Sequence, residues 1–158
     1  MARVIDVAQY ILRSRGEMTT MKLQKLVYYC QAWHIAWKDD VLFPDRIEAW
    51  PDGPVVPSLF KQHQGKFRIS SFRGANSESL SDDERDTVDR VLAFYGSKSP
   101  QWLIDLTHQE APWAEARVRL PLGRERIVRL RQRQWDATTR RCRWDGEGAI
   151  SRVMSGNP

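Results

Sequence analysis

Three histidines and two cysteines are the residue types here that could bind a metal or activate a nucleophile. Cys30 and His34 stand at i, i+4, one turn apart on the same face of any helix through CQAWH. That spacing suits two ligands of a metal ion, or a thiol beside its base. No acidic residue falls at a fitting helical position to complete either arrangement. The plainer reading makes both of them core residues of a buried helix, where a free thiol behaves as a small hydrophobe. His63, between Lys61 and Lys66, reads as a solvated residue near the end of a short helix. His108 lies at another helix end, where a histidine also suits the helix dipole. No GxSxG, HExxH, glycine-rich phosphate loop or Walker pattern occurs. There is no CxxC pair either, so neither a disulfide nor a zinc site is expected. The chain reads as a non-enzyme with no catalytic residues, no cofactor and no metal.

Two other constellations could bind rather than react. The first is the arginine-rich stretch LGRERIVRLRQRQWDATTRRCRWDGEG, with Arg124, Arg126, Arg129, Arg131, Arg133, Arg140 and Arg141 and two tryptophans. Arginine interleaved with aromatics is a nucleic-acid footprint, through phosphate pairing and base stacking. It is equally a docking surface for an acidic protein, or a solvated helix face on which Ile127, Leu130 and Gln134 form a weak stripe. The second is Trp50-Pro51-Asp52-Gly53-Pro54-Val55, a turn stiffened by its prolines. Trp50, Pro51, Gly53, Pro54 and Val55 are candidate partner-binding residues, since a pre-organised loop loses less entropy on binding. The competing reading makes Gly53, Pro54 and Val55 a structural corner that closes a small β element onto a helix. Of the tryptophans, Trp50 is expected to be the exposed one, with Trp33, Trp37 and Trp102 in the core.

The elements that must hold these residues centre on TTMKLQKLVYYCQAWHIAW, residues 19–37. Wound at 100° per residue, Leu23, Leu26, Val27, Cys30, His34 and Trp37 share one arc, while Met21, Tyr28 and Ile35 recur on the far side. A helix apolar on two sides is enclosed by neighbours, so this is the central helix of the domain, capped by Thr19 or Thr20. Before it, residues 4–14 form a short amphipathic helix stopped at Gly16. After it, Pro44, Pro51, Pro54 and Pro57 restrict the chain to turns and short edge strands, with a strand over residues 46–50. Pro57 opens a helix to residue 64, and residues 67–72 are a further strand candidate. Ser81 with Glu84 makes a capping box for a helix burying Val88, Val91, Leu92 and Tyr95, with Gly96 as its stop. Ser99-Pro100 starts a helix to residue 108 that buries Trp102, Leu103 and Leu106. Pro112 opens another over residues 113–118.

At 158 residues, 41% hydrophobic and 28% charged, the chain has the size and composition of one globular domain. No apolar run approaches the roughly 18 residues needed to cross a bilayer, and the N-terminus lacks a signal-peptide pattern. A cytoplasmic protein with no membrane partner is expected. Its net charge of +5 is uneven: residues 1–116 carry 14 Lys+Arg against 16 Asp+Glu, while residues 117–158 carry 11 Arg against 4 Asp+Glu. The basic character therefore belongs to the C-terminal segment. The fold class is mainly α: a compact single-domain helical bundle around the central helix, with a small β element near 46–56 and the second candidate at 67–72.

The run MTTMKLQKLVYYCQAWHIAW, followed by VLFPDRIEAWPDGPVVP, VLAFYG and WLIDLTHQEAPW, resembles the Panacea-domain family. That family includes the SocA-like antitoxins and the phage-associated GepA-like proteins. The resemblance spans residues 4–120 and divides the chain into a Panacea-like domain, 1–120, and an Arg-rich tail, 121–158, partly helical or poorly ordered. It implies a mainly helical domain that binds and neutralises a cognate protein toxin encoded beside it. In one branch the domain also hands its toxin to an ATP-dependent protease. No catalytic centre is implied. After residue 120 the chain departs from its relatives, which continue with a helical, tyrosine-containing end. The alternative function is a nucleic-acid-binding or phage and mobile-element regulatory protein acting through the tail.

Overall fold

A computed structural model describes residues 1–109 together with three short strands at 128–129, 142–144 and 150–152. The first helix, α1, spans Val4–Arg15 and turns Val4, Val7, Ala8, Ile11 and Leu12 inward, as its spacing predicts. Strand β1 (Met18–Thr19) follows and leads into the central helix α2 (Thr20–Lys38). Thr19 is its cap, the hydroxyl accepting from the Lys22 backbone N–H at 3.2 Å. Then come β2 (Glu48–Trp50), β3 (Gly53–Val55), α3 (Pro57–His63) and β4 (Arg68–Ile69). A 3-10 turn (Ser77–Ser79), α4 (Asp82–Tyr95) and α5 (Pro100–Gln109) complete the helical part. The capping box of α4 is formed, with Ser81 and Glu84 exchanging side-chain and backbone bonds. Strands β5 (Val128–Arg129), β6 (Cys142–Trp144) and β7 (Ile150–Arg152) lie beyond, β6 and β7 pairing with each other. The fold is mainly α and built around α2.

α2 packs against α1, α4, α5 and β3. All of its residues from Leu23 to Ile35 are buried, which two apolar arcs alone do not require. The additional buried positions are Tyr29, Ala32 and Trp33 and the polar Gln24, Lys25 and Gln31. On the α4 side the packing is aromatic. Tyr29 stacks on Tyr95 with ring centroids 4.1 Å apart, and Trp33 Nε1 donates to the Tyr95 hydroxyl at 3.2 Å. Gly96 ends α4 for a reason other than a left-handed turn. Its backbone is right-handed, and an added Cβ would lie 2.8 Å from the Arg15 guanidinium. Arg15 donates to the Leu92 carbonyl and Lys22 Nζ to that of Gly96 at 2.7 Å, so two cations satisfy the C-terminal carbonyls of α4.

The polar side chains of α1 and α2 hold the irregular segments. Gln31 Oε1 accepts from the backbone N–H of Leu42 and Phe43, at 2.8 and 3.2 Å, while its Nε2 donates to the Phe43 carbonyl at 2.9 Å. One turn pair earlier, Gln24 Oε1 accepts from Val56 N–H at 2.9 Å. On α1, Asp6 receives Arg3 through two bonds of 2.7 Å and the Asn76 N–H at 2.7 Å, and Gln9 receives the Phe72 N–H at 2.7 Å. Loop backbone that cannot reach water finds its partners on helix side chains.

Three expectations are corrected. His63 is not solvated but 4% exposed, because Gln24 Nε2 donates to its Nε2 at 2.9 Å and Phe60 packs on its ring. Trp102 is 38% exposed rather than core: α5 turns Leu103 and Thr107 inward, which rotates Trp102 out beside Phe94 and under the Lys98 ammonium. At Val128 and Arg129 the weak helical stripe is replaced by strand, antiparallel to β2, because backbone pairing with Glu48 and Ala49 overrides a feeble local pattern. The β element near 46–56 is present as β2 and β3. The candidate at 67–72 is reduced to Arg68–Ile69, paired with Met18–Thr19. The helix over 113–118 lies outside the described residues.

Replacing Gln31 by Ala would leave two N–H groups and one carbonyl of the Leu42-Phe43 segment buried without partners. A loss of about 2–4 kcal/mol in urea-unfolding stability is expected. Gln101→Ala, on the exposed face of α5, should change it by less than about 0.5 kcal/mol.

Candidate partner-binding surface

β2 and β3 form a hairpin in which Glu48 faces Val55, Ala49 faces Pro54 and Trp50 faces Gly53. Only Pro51 and Asp52 are left to make the turn, and both are exposed. Gly53 adopts φ 109°, a left-handed value that a side chain resists. It also lies so close to α2 and α5 that a Cβ would be 2.7 Å from Lys25 Cε and 2.9 Å from Thr107 Oγ1. Glycine is needed there twice over.

The structure divides the five candidate residues. Gly53, Pro54 and Val55 are buried against the body of the domain, as the corner reading requires. Trp50 is half-buried, its ring edge-on to Phe60 with centroids 4.9 Å apart. Its Nε1 donates to Glu48 Oε2 at 2.9 Å, while Arg46 Nε reaches Glu48 Oε1 at 2.8 Å. Those two donors let a carboxylate be 7% exposed without being stranded. Of the five, Pro51 and the outer part of Trp50 face solvent, and Asp52 joins them. Among the tail candidates, Arg129 lies in β5, and Arg124, Arg126, Arg131, Arg133, Arg140 and Arg141 lie outside the described residues.

The residue that sequence reasoning missed is Lys25. It is fully buried beneath the hairpin, its Nζ donating to the Pro54 carbonyl at 2.9 Å. Burial pushes its pKa down to about 7, partly offset by the negative charge of Asp52. Lys25 therefore bolts the hairpin to α2 and, being sealed off, has no route to a substrate. A legible signal was available: Lys25 sits with Gln24 inside a run whose neighbours on both sides are apolar.

Neither member of the Cys30–His34 pair is open to solvent. Cys30 is fully buried and burial raises its thiol pKa, opposite to the shift an activated nucleophile needs. His34 Nδ1 is 2.8 Å from Thr87 Oγ1, whose own hydroxyl donates to the Asp83 carbonyl. That hydroxyl therefore accepts from Nδ1–H, and burial lowers the His34 pKa. Among the described residues no three His, Cys, Asp or Glu side chains converge as a metal cluster. No described helix is long and apolar enough to cross a membrane.

Residues 23–114 match the family described as antitoxin SocA-like, Panacea domain. The chain belongs to that family. The matched span contains the hairpin, Lys25 and α2 from Leu23 onward, whereas α1 precedes it. No curated protein and no solved structure matches the chain.

Gly53→Ala should lower unfolding free energy by about 2–4 kcal/mol, combining an unfavourable φ with displacement of Lys25. Lys25 predicts a pH dependence of definite sign. Between about pH 7 and its ordinary value of 10.5, the unfolded chain holds a proton that the folded chain has released. Its contribution to stability therefore rises with pH through that window and is flat below it. Chemical unfolding at pH 7, 8.5 and 10 should show Lys25→Met removing that rise relative to the unsubstituted protein.

Proposed function

We infer that this protein is the antitoxin of a toxin–antitoxin pair, a cytoplasmic, cofactor-free, non-catalytic protein that neutralises a cognate toxin by binding it directly. The observation that carries this reading is the family match over residues 23–114, which includes the whole hairpin. The hairpin tip is suited to the task. Its base is fixed by Lys25, Gln24 and the Gly53 contact, so little conformational freedom remains to be lost on binding. Trp50, Pro51 and Asp52 form the proposed contact surface, and a half-exposed tryptophan is a common anchor of protein interfaces. Handing the toxin to an ATP-dependent protease, which the family resemblance implies for one branch, would appear as a toxin level that falls when this protein is present.

The second reading, a nucleic-acid-binding regulator of the phage or mobile-element kind, is favoured by the excess of 11 Arg over 4 Asp+Glu in residues 117–158. It predicts DNA retention that weakens steeply with salt and depends on the tail arginines.

Co-expression with the product of the adjacent reading frame tests the first reading. Rescue of growth with a co-purifying complex is the expected outcome; a harmless neighbour, or toxicity that persists beside soluble protein, would count against it. Trp50→Ala combined with Pro51→Ala should weaken the complex by about tenfold or more. Because the indole also donates to Glu48, Arg46→Ala, which removes the other donor to Glu48, is the stability control and should leave affinity unchanged. Unchanged affinity in the double variant would remove the hairpin tip from the interface.

A further inference from the structure

The outer edge of β2 is covered by a segment that arrives only after the chain has passed through α3, α4 and α5. β5 lies antiparallel to it, Arg129 opposite Glu48 and Val128 opposite Ala49, giving the strand order β3-β2-β5. Two residue pairs make a short seam, and each backbone hydrogen bond contributes modestly because water competes for the same groups. Without β5, an edge whose residues Glu48 and Ala49 are 7% and 0% exposed would present unpaired backbone groups, which is what recruits another strand. The slot also has a polarity. Glu48 is held by Arg46 and Trp50 on its own side of the sheet, and Asp52 is exposed at the adjoining turn. The strand that fills it carries an arginine opposite Glu48.

We propose that the outer edge of β2 is a strand-accepting slot for an extended basic segment. The chain's own Val128–Arg129 fills it in the free protein, and an extended stretch of the protein partner, with arginine or lysine opposite Glu48, replaces it. Affinity comes from main-chain pairing and selectivity from the charge at that one register position, as in other cases of strand addition. The tethered strand competes at high effective concentration, so the slot opens fully to an outside strand only when β5 is weakened. This deepens the antitoxin reading by naming the chemistry of the segment accepted. Its test contains no toxin, so failure here would leave that reading standing.

The probe is a fluorescent peptide with the chain's own residues 124–133, RERIVRLRQR, titrated by anisotropy into three full-length proteins. These are the unsubstituted chain, Val128→Pro/Arg129→Pro, and Arg129→Glu. The last sets two carboxylates opposite each other and leaves the helical core untouched, so it serves if the double proline variant folds poorly. Binding to both variants about tenfold or more tighter than to the unsubstituted chain is expected, and a peptide bearing the same two prolines should not bind. Equal binding to all three proteins, or binding of a scrambled peptide as tight as the parent, would overturn the proposal in favour of general attraction of a polycation. An unsubstituted chain that is dimeric by light scattering, with Arg129→Glu monomeric, would overturn it in favour of strand exchange between two copies.

Discussion

A backbone N–H or carbonyl that is buried outside regular structure must find a partner, and here side chains on α1 and α2 supply several of those partners. Gln31 answers the Leu42-Phe43 segment, Gln24 answers Val56, Lys25 answers Pro54, Asp6 answers Asn76 and Gln9 answers Phe72. Each places a polar group where an apolar face would otherwise be complete, which is favourable only because both sides of the bond are satisfied. The helices thereby determine the path of the long connections. Without these bonds the region between α2 and α4, which has few strands and several prolines, would have little to define it.

The hairpin shows the same principle pressed furthest, because its anchor is a charged group. Burial of an ammonium is unfavourable, and the downward shift of the Lys25 pKa expresses that. What offsets it is close fit: glycine at position 53 admits the lysine stem, and the Pro54 carbonyl takes the head group. The result is a turn with a fixed base and an exposed tip. A surface of that kind suits the direct binding proposed above, since rigidity before contact conserves affinity.

Strand β5 is joined to this surface. Pairing of Val128–Arg129 with β2 brings that strand alongside the hairpin, as the third strand of its sheet. The hairpin tip and β5 are linked mechanically through three adjoining strands.

Local chemistry determined the helices. The Ser81–Glu84 capping box, the 3.6-residue stripes of α1 and α4, and Pro at the start of α3 and α5 each act over a few residues, so they were legible in the sequence and correspond to the elements found. The prolines and Gly53 likewise announced a turn after Trp50. What lay beyond local reading were relations between distant residues. Met18 meets Ile69, Ala49 meets Val128, Gln24 meets His63, and Lys25 reaches Pro54. No short-range pattern marks any of these pairs, because a hydrogen bond or a strand pairing depends on where the fold brings two backbones together. The division of the candidate surface into a buried corner and an exposed tip was decided in the same way. Sequence placed proline and glycine in the turn, and only the packing of β3 on α2 set which residues of it meet the solvent.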